Sequence, residues 1–137
     1  MNAADARLAA TKRYLADEGL DGLIAFNGGQ NSFLESHAVF VLSGVRPIGE
    51  SAVLVDRSGA ATLLVTPAWE AERAAALSRT AKTVGADNLA GALNSALAAQ
   101  GVDPRKTVTV ALSTLGVGMV ERIEAVLGGK VAANDKY

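Results

Sequence analysis

The sequence predicts a single α/β domain, a mixed β-sheet flanked by helices, and three observations lead there. Helix-like and strand-like stretches alternate through the second half of the chain, the pattern of strands joined by helical crossovers. Two β-rich runs, residues 51–56 and 61–66, are separated only by Arg57-Ser58-Gly59-Ala60, a spacing and glycine placement that suit an antiparallel hairpin. The 137 residues, half of them hydrophobic, are enough for one core without disulfides or a structural metal and too few for a second full domain.

The first element is a helix that Asn2 caps, with Asp5 in its first turn and Leu8, Thr11 and Leu15 along one face. Gly19 stops it, and Leu20 behind the glycine gives the pattern of a Schellman ending. After Asp21-Gly22, residues 23–26 read as a buried strand, and Asn27-Gly28-Gly29-Gln30-Asn31 as a loop. Residues 32–40 fit either a short helix or irregular structure. Beyond the hairpin come a helix at 67–78, with Thr66 as cap and Pro67 as first residue, and a strand near 82–84. A helix at 88–100 follows, capped by Asp87, stopped by Gly101 and carrying Leu89, Leu93 and Leu97 on one buried face. A strand at 107–112 and a helix at 115–127, stopped by Gly128-Gly129, complete the series.

Composition narrows the functional classes. Of the hydrophobic half, 27 residues are alanine, which favours close helix packing. Thirteen basic against 14 acidic side chains, with no basic run, argue against nucleic acid as a partner. No uninterrupted apolar run is long enough to span a bilayer, and the N-terminus lacks a charged head followed by an apolar stretch, so a cytoplasmic protein is expected. The absence of Cys excludes thiolate zinc sites and cysteine nucleophiles.

The motifs are incomplete. Gly28-Gly29 could cradle a phosphate, but neither Gly-x-Gly-x-x-Gly nor a Lys-Ser/Thr ending is present. The only Gly-x-Gly, Gly116 and Gly118, falls within a helical stretch, so a tight turn is the preferred reading of the glycine pair at 28–29. Gly49-Glu50-Ser51 resembles half of a nucleophile elbow, yet Val53 stands where the turn needs glycine, so Ser51 is read as a strand start. His37 is the only imidazole; alone it makes no zinc site, and it is weighed as a substrate contact against a half-buried loop histidine. Glu70 and Glu72 are explained by the positive end of a helix, a preference of ~0.3 to 1 kcal/mol, and being two apart they face different ways. Trp69 is read as a core or interface anchor. Arg46-Pro47 is either an ordinary exposed turn or a guanidinium held rigidly for a carboxylate. Residues and spacing alone thus give an α/β domain with no self-sufficient catalytic constellation.

Three stretches resemble the N-terminal domain of the creatinase/prolidase/Xaa-Pro aminopeptidase family. Arg7-Leu8 through Leu15, then Gly19-Leu20-Asp21-Gly22-Leu23-Ile24, is similar to the family's opening helix and its turn into the first strand. In residues 31–56, Phe40-Val41-Leu42-Ser43-Gly44 looks like the Tyr-Leu-Thr-Gly signature, followed by Arg46-Pro47. Leu63-Leu64-Val65-Thr66-Pro67, then Trp69-Glu70 and an Ala-rich helix, is similar to the family's strand and helix beginning with Pro and Glu. The link from Asn31 to Phe40 is longer than the family's usual one, which bears on the role of His37.

The resemblance covers the whole chain and implies one domain over residues 1–137 with a ribonuclease H-like mixed sheet. It implies a non-catalytic part of a metal-dependent hydrolase, an Xaa-Pro dipeptidase or aminopeptidase or a creatinase-like enzyme, whose catalytic pita-bread domain and two divalent metal ions (Mn, Co or Zn) lie outside this chain. The chain ends about where such a catalytic domain would begin, so it is read as a module of a longer protein, inactive alone. Its implied partners are that catalytic domain and a second copy in a homodimer. The implied role is gating the active site and selecting substrate, with His37, Arg46, Asn31 and Gln30 as candidates, Gly44 and Pro47 as structural turn residues, and no catalytic or metal-binding residue here. The alternative is a free-standing α/β ligand-binding or interaction module with the Gly28-Gly29 loop as its anion site. A serine hydrolase using Ser51 and His37 ranks third.

Overall fold

The computed structural model describes residues 3–28, 38–45, 47, 49–78, 80, 82–128 and 132–133. The elements are α1 (Ala3–Glu18), β1 (Gly22–Asn27), α2 (Ala38–Ser43), β2 (Ser51–Asp56), β3 (Ala61–Val65), α3 (Ala71–Leu77), β4 (Lys82–Gly85), α4 (Leu89–Gln100), β5 (Thr107–Val110), α5 (Val117–Val126) and β6 (Ala132–Ala133). Short 3₁₀ turns at Ala68–Glu70, Pro104–Lys106 and Leu112–Thr114 join them.

The strands form one sheet in the order β4-β3-β2-β1-β5-β6. β2 is antiparallel to both β1 and β3, while the β1/β5, β3/β4 and β5/β6 pairs are parallel. The expected mixed sheet is therefore present, and β2, which runs against both of its neighbours, is its source. The β2/β3 hairpin is fixed locally: Asp56 Oδ1 accepts from the Ser58 N–H at 2.9 Å, the Ser58 hydroxyl at 2.5 Å and the Ala60 N–H at 3.1 Å, and Gly59 takes φ +89.

Successive residues of a strand point to opposite faces, and here both faces are buried. Leu23, Ala25, Val53, Val55, Leu63 and Val65 face a core closed by Leu15 of α1, Val39 and Leu42 of α2, and Ala74 of α3. Ile24, Phe26, Ala52, Leu54 and Leu64 face a second core closed by α4 and by Ile123 of α5. This explains why β1 to β3 read as unbroken apolar runs and not as alternating ones. Leu89, Leu93 and Leu97 lie on the buried face of α4 as their spacing requires, each side chain contributing about 1.5–3 kcal/mol by leaving water.

The end of α1 follows the expected Schellman pattern: Gly19 has φ +67 and the Leu20 N–H reaches the Leu15 carbonyl at 3.0 Å. Four local expectations need correction. Thr66 does not cap a helix; its hydroxyl donates to the Glu50 carbonyl at 2.5 Å, and a 3₁₀ turn intervenes before α3. Asp87 does not cap α4, because parallel pairing of β3 and β4 sets it beside that turn, where Oδ1 accepts from the Ala68 N–H at 3.1 Å. Asn88 caps α4 instead, accepting from the Gly91 N–H. The strand expected over 107–112 stops at Val110, since Ala111 turns to φ 61 and breaks the extended run, and α5 starts at Val117 with Gly116 at its N-cap. Among the described residues no helix is long and apolar enough to cross a membrane.

Candidate functional site

β1, β3, β4, β5 and β6 all run the same way, so their carboxyl ends gather along one edge of the sheet, where β2 begins. Crevices outside the carboxyl ends of strands are the usual ligand sites of α/β sheets. The chain leaves β1 here toward α2, enters β2 here from α2, and leaves β3, β4 and β5 here.

Close backbone contacts lock these connections to each other. A Cβ on Gly28 would stand 1.9 Å from the Thr114 carbonyl oxygen, one on Gly49 would stand 2.3 Å from that of Thr66, and one on Gly85 would stand 2.3 Å from that of Ala68. Glycine is therefore needed at 28 and 49 for proximity, not for a left-handed φ. The Thr66 hydroxyl adds a second tie to the segment entering β2. At the end of α2, Gly44 has φ +78 and donates its N–H to the Phe40 carbonyl at 2.7 Å, while the Ser43 hydroxyl donates to the Val39 carbonyl and accepts from the Val45 N–H. Pro47 is buried in the same connection.

Three polar side chains at this edge are buried and incompletely bonded among the described residues: Asn27 through Oδ1, Ser51 through Oγ and Glu70 through Oε2. Asn27 and Ser51 are direct partners across the β1/β2 ladder, so their side chains share one face. Glu70 is wholly buried; its Oε1 accepts from Arg73 Nε at 2.9 Å and from Arg73 Nη2. Trp69 beside it is 70 % exposed, which rules out the core half of its predicted role. The helix dipole, the sequence's explanation of Glu70, does not account for its burial, whereas the apolar run that leads into Asn27 is a sequence signal that this polar side chain ends up inside.

Of the gating candidates, Gln30, Asn31, His37 and Arg46 lie outside the described residues, and Gly44 and Pro47 are placed as above. Their chain neighbours Asn27, Gly28, Ala38, Val45, Pro47 and Gly49 are described, and the strand ends flanking both connections meet at this edge. Ser51 is the first residue of β2, paired with Asn27 on one side and Val65 on the other, and does not stand on the strand-to-helix turn that a nucleophile elbow needs. Among the described residues no group of three or more His, Asp or Glu that could hold a metal occurs.

Comparison with known proteins places this geometry. The family model for the creatinase/prolidase N-terminal domain matches residues 7–135. A search among curated proteins finds no match. Among solved structures, an Xaa-Pro aminopeptidase from Streptococcus pyogenes superposes with TM-score 0.70 at 17% identity, covering 96% of this chain and 92% of that one. The N-terminal creatinase/prolidase-like domain of a Corynebacterium diphtheriae protein described as a metallopeptidase superposes with TM-score 0.67 at 19% identity, covering 96% and 94%. An Xaa-Pro dipeptidase from Bacillus anthracis superposes with TM-score 0.70 at 12% identity over 96% of this chain, which spans 33% of that protein. At such identities the superpositions establish the fold. With the model match over nearly its whole length, the chain belongs to the creatinase/prolidase N-terminal domain family.

Proposed function

We propose that this chain is the non-catalytic N-terminal domain of a metal-dependent hydrolase acting on Xaa-Pro peptides, with creatine-like amides as the second substrate class. In this reading it sits over the active site of a separate catalytic domain, selects substrate and helps hold a homodimer together. The observation that carries the proposal is the family match over residues 7–135, combined with a strand edge where the connections flanking Gln30, Asn31, His37 and Arg46 converge. Two divalent metal ions would belong to the catalytic domain; the described residues here offer no ligand set for them.

The test uses a protein in which this chain is joined to its catalytic domain. Arg46→Ala is expected to raise KM for an Xaa-Pro dipeptide several-fold with bound metal unchanged, because a carboxylate-binding guanidinium is lost from a substrate-facing turn. Metal loss with unchanged KM would contradict the gating role, and a monomer in analytical ultracentrifugation would contradict the dimer.

A further inference from the structure

We propose that the outer edge of β4 and the groove beside it form a docking site for an extended peptide that joins the sheet as an added strand, presents apolar side chains to the groove and carries a carboxylate against Lys82. The proposal does not depend on the hydrolase reading.

β4 ends the sheet, and among the described residues no strand pairs with its outer side. The Ala86 N–H bonds to the Val65 carbonyl at 2.9 Å, which sets the parallel ladder so that alternate residues 84 and 86 bond to β3. Thr83 and Gly85 therefore turn their N–H and C=O groups outward. An open edge of this kind is a template for another extended backbone.

The groove supplies the side-chain half of the recognition. It runs between β4 and α4 with a volume of about 550 Å³, has Leu64 and Val84 in its floor, and is walled by Ala92, Ser95 and Ala96. Short side chains on the helix leave space that an apolar residue would fill. Alternate residues of an added strand point to one face, so positions i and i+2 of the peptide both enter it. α4 itself carries no charged residue.

Charge selects the end group. Among the described residues Lys82 is the only charged one lining the groove; it is exposed and makes no ion pair with any of them. A carboxylate on the peptide complements it. A second copy of this chain fits less well: antiparallel self-pairing about Val84 would set the copy's Lys82 opposite Ala86, next to the positive N-terminal end of α4.

The test is a titration of the ¹⁵N-labelled chain with the pentapeptide acetyl-Val-Thr-Leu-Thr-Glu-amide, whose Val, Leu and Glu side chains share one face, with a Gln-ended amide and a version N-methylated at alternate amides as controls. Expected are shifts concentrated at Thr83, Gly85 and the groove face of α4, and roughly tenfold weaker binding for the Gln peptide and for Lys82→Glu, the scale of one lost charge contact. The N-methylated peptide, unable to complete the ladder, should bind at least tenfold more weakly, and Ser95→Trp, at an exposed position, should block the groove without unfolding the chain. Shifts elsewhere, no shifts up to the peptide's solubility limit, or equal binding of the N-methylated peptide would overturn the proposal. So would concentration-dependent shifts at Thr83 and Gly85 without peptide, together with a dimer in sedimentation, since the occupant would then be a second copy.

Discussion

Gly28 and Thr114 are in such close backbone contact that a single added carbon on the glycine would lie 1.9 Å from the threonine carbonyl oxygen. The contact joins the segment leaving β1 to the 3₁₀ turn after β5, two stretches far apart in sequence. Gly28→Ala is expected to destabilise the chain by about 2 kcal/mol, as overpacking against backbone forces a main-chain shift. Urea unfolding measures it, with Gly118→Ala in the first turn of α5 as control, where nothing lies within 4 Å of the new carbon. The control should be neutral or slightly stabilising; equal behaviour of the two variants would refute the steric account.

Ala111 holds φ 61 and ψ 26, a left-handed conformation that its Cβ disfavours, and its carbonyl accepts from both the N–H and the hydroxyl of Thr114. Ala111→Gly removes the clash at some cost in unfolded-chain entropy, and a net gain of about 0.5 kcal/mol is expected. A lowered thermal midpoint would show that the side chain's packing against the first core outweighs the backbone strain.

Glu70 and Arg73 form a one-sided ion pair, the carboxylate wholly buried and the guanidinium half in solvent. Exposed pairs contribute little, but here removal of the cation leaves a buried charge. Arg73→Ala should cost about 3 kcal/mol and Arg73→Lys less, because a lysine keeps the charge without the planar fork. Denaturant midpoints for the two variants decide the matter, and a cost below about 1 kcal/mol for Arg73→Ala would mark the pair as an ordinary surface contact.

Asp56 connects stability to pH. Burial acts to raise its pKa, but hydrogen bonds from the Ser58 hydroxyl, the Gln100 amide and the Ala60 and Ser58 N–H groups outweigh it and hold the carboxyl below its ordinary value of 3.8. A depressed folded pKa means that the stabilisation is complete above the unfolded value and is lost as pH falls through the folded one. Asp56→Asn should therefore lower stability at pH 7 and flatten the acid limb below about pH 4. An unchanged slope in pH-dependent unfolding would contradict this.

Much of the fold was legible because it is local. The Asp56 turn, the Gly19-Leu20 ending of α1 and the leucine stripe of α4 each involve residues a few positions apart, and each is found where residue type placed it. For the candidate site, family wording pointed to the turn at Gly44 and Pro47, while Gln30, Asn31, His37 and Arg46 lie outside the described residues. Asp87 and Asn88 show where local reading stops: both are good caps, and the choice between them was made by β4 docking beside β3, which carried Asp87 off to Ala68. Thr66 was drawn to Glu50 in the same way, across a strand pair.

The sequence by itself determined most of the elements, α2 and β6 excepted, together with the hairpin, the mixed character of the sheet and the family. These depend on periodicity, turn chemistry and short-range hydrogen bonds that any stretch of chain carries with it. Tertiary structure alone decided that Glu70 is buried and Trp69 exposed, that Gly28 and Gly49 are there for close approach, and that β4 is left with an open edge beside a groove. Those outcomes depend on which strands become neighbours, and strand order is settled by burial of both sheet faces at once, a property of the whole chain and of no segment in it.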